Sequence, residues 1–203
     1  MKKRSLILLL AVMMLTLVAC GKTQESGKQE SSAAESSVEE SVQEPAVTIA
    51  DALELLNTVW ANYDDANKFP VGGGDSANLN FEGPGKFDAA NSEELDVTLG
   101  FPADKVAQID DAASMMNAMM ANNFTAGVYH VTDKAAVQEI AAAMKENILA
   151  RHWMCGMPEK MVIIAVDDYL ISAFGLGELI DTFQTEIQEA YEIADVLFEE
   201  SIS

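Results

Sequence analysis

The stretch KMVIIAVDDYLISAF, residues 160–174, decides the fold. Two apolar runs of strand length, rich in β-branched residues, flank the polar pair Asp167-Asp168. Such runs joined by two turn residues predict an antiparallel hairpin. Val162, Ile164 and Val166 alternate with Ile163 and Ala165, so both faces of the first strand are apolar. That pattern suits central strands covered by helices on at least one side.

Upstream, Asp133 caps a helix with Val137, Ile140, Ala141, Met144 and Ile148 on one face. Phe124–Val131 reads as a strand, introduced by the turn signal Asn122-Asn123. The segment from Ile109 to Met120 fits two periods. Ile109, Ala112, Ala113, Met116, Met119 and Met120 follow helical spacing, whereas Ile109, Asp111, Ala113, Met115, Asn117 and Met119 alternate. Propensity favours the helix. Downstream, Gly175 and Gly177 end the hairpin. A last helix is predicted from about Glu178 to Glu199, with Ile180, Phe183, Ile187, Ala190, Ala194 and Leu197 as its stripe.

Nearer the start, Thr48 resembles an N-cap, with Asp51 three residues later. Ile49, Leu53, Leu56, Trp60 and Tyr63 follow at helical spacing, and the pattern stops near Asp64. Residues 68–91 hold Gly72-Gly73-Gly74 and Gly83-Pro84-Gly85 and read as a loop. Short helical turns are expected at Ser92 and after Pro102. Residues 46–203 thus form one α+β domain. It has a small antiparallel sheet of about four strands packed with helices, plus an N-terminal helix. The order becomes ββαββα if residues 111–118 form a strand.

The chain carries 33 acidic and 12 basic residues, a formal net charge of −21, and is 49% hydrophobic. The apolar share supports a packed core. The charge excludes nucleic acid as a partner, since phosphate binding needs clustered Lys and Arg. It equally excludes adsorption to anionic lipid. Two Cys and two His rule out a disulfide-dense scaffold or a Cys-rich zinc module.

The first residues carry an address. Lys2, Lys3 and Arg4 precede the apolar run SLILLLAVMMLTLVA, residues 5–19. This is shorter than the roughly 20 residues a membrane-spanning helix needs, and it has the form of an export signal. Its end, Leu17-Val18-Ala19-Cys20, resembles the lipobox of bacterial lipoproteins. The resemblance implies removal of residues 1–19 and a diacylglyceryl group on Cys20, which becomes the lipidated N-terminus. Membrane contact then runs through the acyl chains on Cys20, and the protein faces the extracytoplasmic side of the cell membrane. Residues 20–45 are Ser, Glu and Gln with almost no large apolar side chain. They are expected to be a disordered tether, with a coil span of about 25–30 Å.

Strand, helix, strand, turn, strand and helix behind a lipobox and a Ser/Glu tether resemble the bacterial lipoproteins of domain-of-unknown-function family 4358. The matching residues are Met115-Met116-Asn117, Ala126-Gly127-Val128-Tyr129-His130-Val131, the helix from Lys134, and Val162 to Phe174 around Tyr169. The resemblance spans about residues 50–195 and implies a strand at 111–118. It implies no activity, because none is assigned to that family. Asp167-Asp168 departs from the Gly-containing turn expected there.

Several constellations invite chemistry. Gly83-Pro84-Gly85-Lys86 hints at a phosphate loop, but Phe87 follows the Lys where Ser or Thr is required. Asp64, Asp65, Asn67 and Asp75 offer oxygen ligands without the calcium-loop spacing. Asp110-Asp111 and Asp167-Asp168 are turn or surface acids unless the fold brings them together. Arg151-His152-Trp153-Met154-Cys155-Gly156-Met157 collects soft donors that suit copper(I), and Met115, Met116, Met119 and Met120 add thioethers. The plainer reading is an adaptable methionine-rich core and a helix-to-strand loop. Cys155 with His130 is the alternative nucleophile pair, with no third orienting group. No catalytic residue, metal ligand or cofactor is assigned. The function expected is that of an exported, lipid-anchored envelope protein with a small non-enzymatic domain. That domain binds an envelope protein or a small ligand. The alternatives are an enzyme acting on envelope polymers or solutes, and a copper-handling lipoprotein.

Overall fold

A computed structural model of the chain describes residues 48–119, 123–154 and 156–202. The leader (1–19), Cys20, the tether (20–45), Met120 and Cys155 lie outside the described residues.

The first helix, α1, spans Ala52–Asn62. Its cap is Asp51 rather than Thr48: Asp51 Oδ1 accepts from Glu54 N at 2.8 Å. The Glu54 carboxylate accepts from Ala50 N at 2.5 Å in return. This reciprocal pair satisfies two otherwise orphaned donors at the helix start. Two short strands follow, β1 (Val71–Gly72) and β2 (Gly85–Phe87). They correct the reading of 68–91 as plain loop. Gly73 and Gly85 meet backbone to backbone: a Cβ on Gly73 would lie 2.4 Å from Gly85 N. The glycines serve close approach, which no side chain permits.

Helix α2 (Ser92–Glu94) runs into a π-helical turn, Leu95–Leu99, and a 3-10 turn, Ala103–Gln108, follows Pro102. Strands β3 (Ile109–Asn117) and β4 (Phe124–Val131) come next. Helix α3 (Val137–Leu149) is led in by a 3-10 turn at Lys134–Ala136, where Asp133 accepts from Ala135 N at 3.0 Å. The hairpin is β5 (Lys160–Val166) and β6 (Tyr169–Gly175), with Asp167 at φ +57°. Asp tolerates that left-handed conformation in a two-residue turn. Helix α4 (Gly177–Ala190) and strand β7 (Asp195–Ser201) close the order.

All seven strands join one antiparallel sheet. The path is β1-β3-β4-β6-β5-β7, and β2 also pairs with β3. Residues 112–114 of β3 pair with β2 and residues 116–117 pair with β1, so the two short strands share one edge. The α+β class holds, but the sheet has seven strands where four were expected. The ββαββα run from β3 to α4 is embedded in a longer order. Ile109–Asn117 is a strand, against its helical propensity. Ala113 and Met115 face one layer and Ala112 the other, so burial on both sides overrides propensity.

Both faces of the sheet are covered. On one, Leu55, Leu56 and Val59 of α1 and Ile180, Phe183 and Ile187 of α4 meet Val162, Ile164, Val128 and Ile171. On the other, Ile140, Met144 and Ile148 of α3 meet Met161, Ile163, Tyr129 and Leu170. The last helix is shorter than expected. It ends at Ala190, and Val196, Leu197 and Phe198 belong to β7. The outer edge of β5 supplies backbone partners to β7, Ile163 opposite Phe198 and Ile164 opposite Val196. Lys160 ties this edge through Glu199 at 2.7 Å and Asp181 at 2.5 Å.

Candidate functional site

An open groove of about 710 Å³ lies beside the β2–β3 edge. Its floor is Phe87 and Ile109, and its walls are loops 75–78 and 88–91 with Glu94, Asp110 and Asp111. Asp75, only 2% exposed, builds one wall. Its Oδ1 accepts from Ala77 N and Asn78 N, both at 2.8 Å. Asn78 Nδ2 reaches both carboxylate oxygens, and Oδ2 accepts from Asp88 N at 2.6 Å. Burial alone would raise the pKa of this carboxyl; the donors from Asn78, Asp88 and Ala77 outweigh it and hold the pKa below the ordinary value. Glu94 fixes the neighbouring turn, accepting from Ser76 N at 2.7 Å and Ser76 Oγ at 3.1 Å.

Lys86 is the groove's cation and is already engaged, 3.2 Å from Asp111 and 3.5 Å from Asp51. The hydrogen bond to Asp111 raises its pKa. Asp88, Glu94 and Asp110 leave the groove electronegative, so it favours a polar or cationic ligand over an anion.

At the outer end of the sheet the fold joins acids that the sequence left apart. His130 Nδ1 lies 2.5 Å from Asp110 Oδ1, and Nε2 lies 3.3 Å from Asp168 Oδ2. The imidazole leans on Tyr169, with ring centroids 4.9 Å apart. The bond to Asp110 raises the His130 pKa, opposed by partial burial and reinforced by Asp168. Each ring nitrogen faces a carboxylate, so the protonated ring donates twice. Neither nitrogen offers a free lone pair for base catalysis. The cluster is a charged clasp joining β3, β4 and the β5–β6 turn.

The remaining sequence candidates scatter. Asp75 is spent on backbone and amide donors, while Asp64 and Asp65 are exposed past the end of α1. Among the described residues no three His, Cys, Asp or Glu side chains gather around a possible metal position. Met115 is fully buried under α1, whereas Met154 is 93% exposed. Sequence reasoning missed Asp75 and Ser114 as builders of the groove edge. Ser114 Oγ accepts from Gly74 N at 2.8 Å across 40 residues of chain, a pairing with no local signature.

No family model matches the chain, and no curated protein or solved structure matches it either.

Proposed function

We propose that this chain is an exported envelope protein, anchored by lipid on Cys20, whose α+β domain works by binding rather than by catalysis. The carrying observation is the junction Leu17-Val18-Ala19-Cys20 at the end of an apolar run too short to span a bilayer. Among the described residues no helix is long and apolar enough to cross a membrane. The region from Cys20 to Pro45 is the tether, and the domain from residue 46 is the cargo it presents outside the membrane. The ligand seat is the electronegative groove, whose walls are held by internal hydrogen bonds and so need little ordering on binding. Its occupant is a polar or cationic group of an envelope component.

Photocrosslinking in intact cells tests this. A photoreactive residue at exposed Ala90, on the groove, should give a discrete adduct in the membrane fraction. The same probe at exposed Glu146 on α3 should not. Identical adduct patterns from both positions would remove the groove as the binding surface.

A further inference from the structure

A second pocket, of about 280 Å³, lies at the opposite end of the sheet from His130. Asn117 at the end of β3, Phe124 and Thr125 at the start of β4, and Phe174 near the end of β6 form its base. Arg151 and Trp153, just past α3, form its wall. In a chain of net charge −21, no Asp or Glu lines this pocket, and its cation is Arg151.

Arg151 is poorly satisfied. Its Nη2 donates to Val97 O, while Nη1 is buried with no hydrogen-bond partner among the described residues. Among the described residues it forms no ion pair. Its guanidinium carbon sits 5.0 Å from the Trp153 ring centroid and 5.7 Å from that of Phe174. Trp153 Nε1 and Asn117 Nδ2 are likewise buried donors without partners. Three orphaned N–H donors on the residues of one pocket are a costly arrangement, because each has lost water and gained nothing. An acceptor-rich group is what such donors lack. A carboxylate accepts several such bonds and matches the positive charge.

The surroundings specify the rest of the ligand. Met116, Phe124 and Phe174 give the pocket apolar walls. At its mouth Val97 and Met119 are 66% and 50% exposed. The adjoining loop exposes Met154 and Met157 at 93% and 55%. Exposed apolar side chains at the mouth and in the loop beside it suit a contact surface, and methionine adapts to varied shapes. The volume of about 280 Å³ lies just below the usual range of ligand pockets, about 300–1,000 Å³, and so suits a small ligand.

We propose that this pocket binds a small organic carboxylate with an apolar body. The carboxylate takes the Arg151, Trp153 and Asn117 donors, and the body lies along the methionines and Phe174. The donor atoms are shielded from solvent, so the ligand engages them as the partly exposed side chains around them part. The proposal rests neither on the lipid anchor nor on the groove and stands or falls without them.

The test is calorimetric titration of the full chain with 4-phenylbutyrate and, as the uncharged control, 4-phenylbutyramide. Saturable 1:1 binding of the acid is expected, with the amide weaker by about tenfold or more, the scale of a lost charge-assisted hydrogen bond. Arg151→Gln should reduce acid binding by a similar factor and amide binding by less, so that the preference for the acid shrinks. Met119→Asp alters only an exposed side chain at the mouth and should also weaken the acid selectively. It decides the question if Arg151→Gln fails to fold. Equal affinity for acid and amide, or undiminished acid binding by either folded variant, would overturn the proposal. So would no saturable binding by wild-type protein with native circular dichroism.

Discussion

Consecutive residues of a strand point to opposite faces, so Ile163 and Ile164 report separately on the two helical layers. Both are fully buried, Ile163 among the residues packed by α3 and Ile164 among those packed by α1 and α4. Truncating each to Ala removes buried carbon from a covered face. The expected cost is about 2–5 kcal/mol for each, transfer and cavity contributions together. A domain of ordinary stability, about 5–15 kcal/mol, survives one such loss. At a urea slope of about 2 kcal/mol/M, each variant should unfold at a midpoint lower by about 1–2.5 M, with an unchanged slope. The assay is equilibrium urea unfolding followed by circular dichroism. A sheet covered on one side only would leave one variant within about 0.5 kcal/mol of wild type, as surface substitutions are. That result at either position would refute the two-sided fold. Ile164→Asp sharpens the test: an unpaired buried carboxylate at this place should abolish folding.

Three further outcomes are expected. The His130 clasp stabilises the protonated ring, so its contribution is fully present below the unfolded pKa of about 6.5. It is lost as pH rises through the raised folded value. The thermal stability gap between wild type and His130→Gln should therefore be largest near pH 6 and shrink toward pH 9. Its size should be at most about 1 kcal/mol, because Asp110 and Asp168 are largely solvated; a gap that widens with pH contradicts the clasp. Asp75→Asn puts an amide where two oxygens meet N–H donors and should cost about 1–3 kcal/mol by urea unfolding at pH 7; an unchanged midpoint would show that loop 75–78 is held otherwise. Deleting residues 195–203 should strip β5 of its outer partner and lower the melting temperature by several degrees, whereas a terminal helical extension would be shed at little cost.

The hairpin was legible because its signal is local: two strand-length apolar runs and a two-residue turn. Helix α3 was legible for the same reason, having one clean apolar stripe; α1 was legible as a helix, but its buried face is Ala52, Leu55, Leu56 and Val59, with Ile49, Leu53 and Trp60 only partly covered. Strand β3 was not, since Ala112, Ala113, Met115 and Met116 are helix formers whose burial on both faces erases the alternation that marks a one-sided strand. Strand β7 was missed because Ala194 and Leu197 continue the phase of the α4 stripe by coincidence. Its reason for being extended lies in the backbone edge of β5, far upstream in the chain (Ile163 pairs with Phe198, for example). The groove depends on Asp75 reaching Asp88 across a loop and Lys86 of β2 reaching Asp111 of β3, contacts that carry no sequence motif. Residues 151–157 drew notice for soft metal donors, yet what distinguishes them is the unpaired Arg151 and Trp153 donors. A sequence names the residue types but not which hydrogen bonds go unmade.

The central claim is that Cys20 carries the anchor, and metabolic labelling with a clickable palmitate analogue tests it most directly. The wild-type chain should take up label and fractionate with membranes. Cys20→Ala should take up none and accumulate as uncleaved precursor or be released after processing elsewhere. Equal label on the two proteins would contradict the account, and residues 1–45 would lose their reading as address and tether.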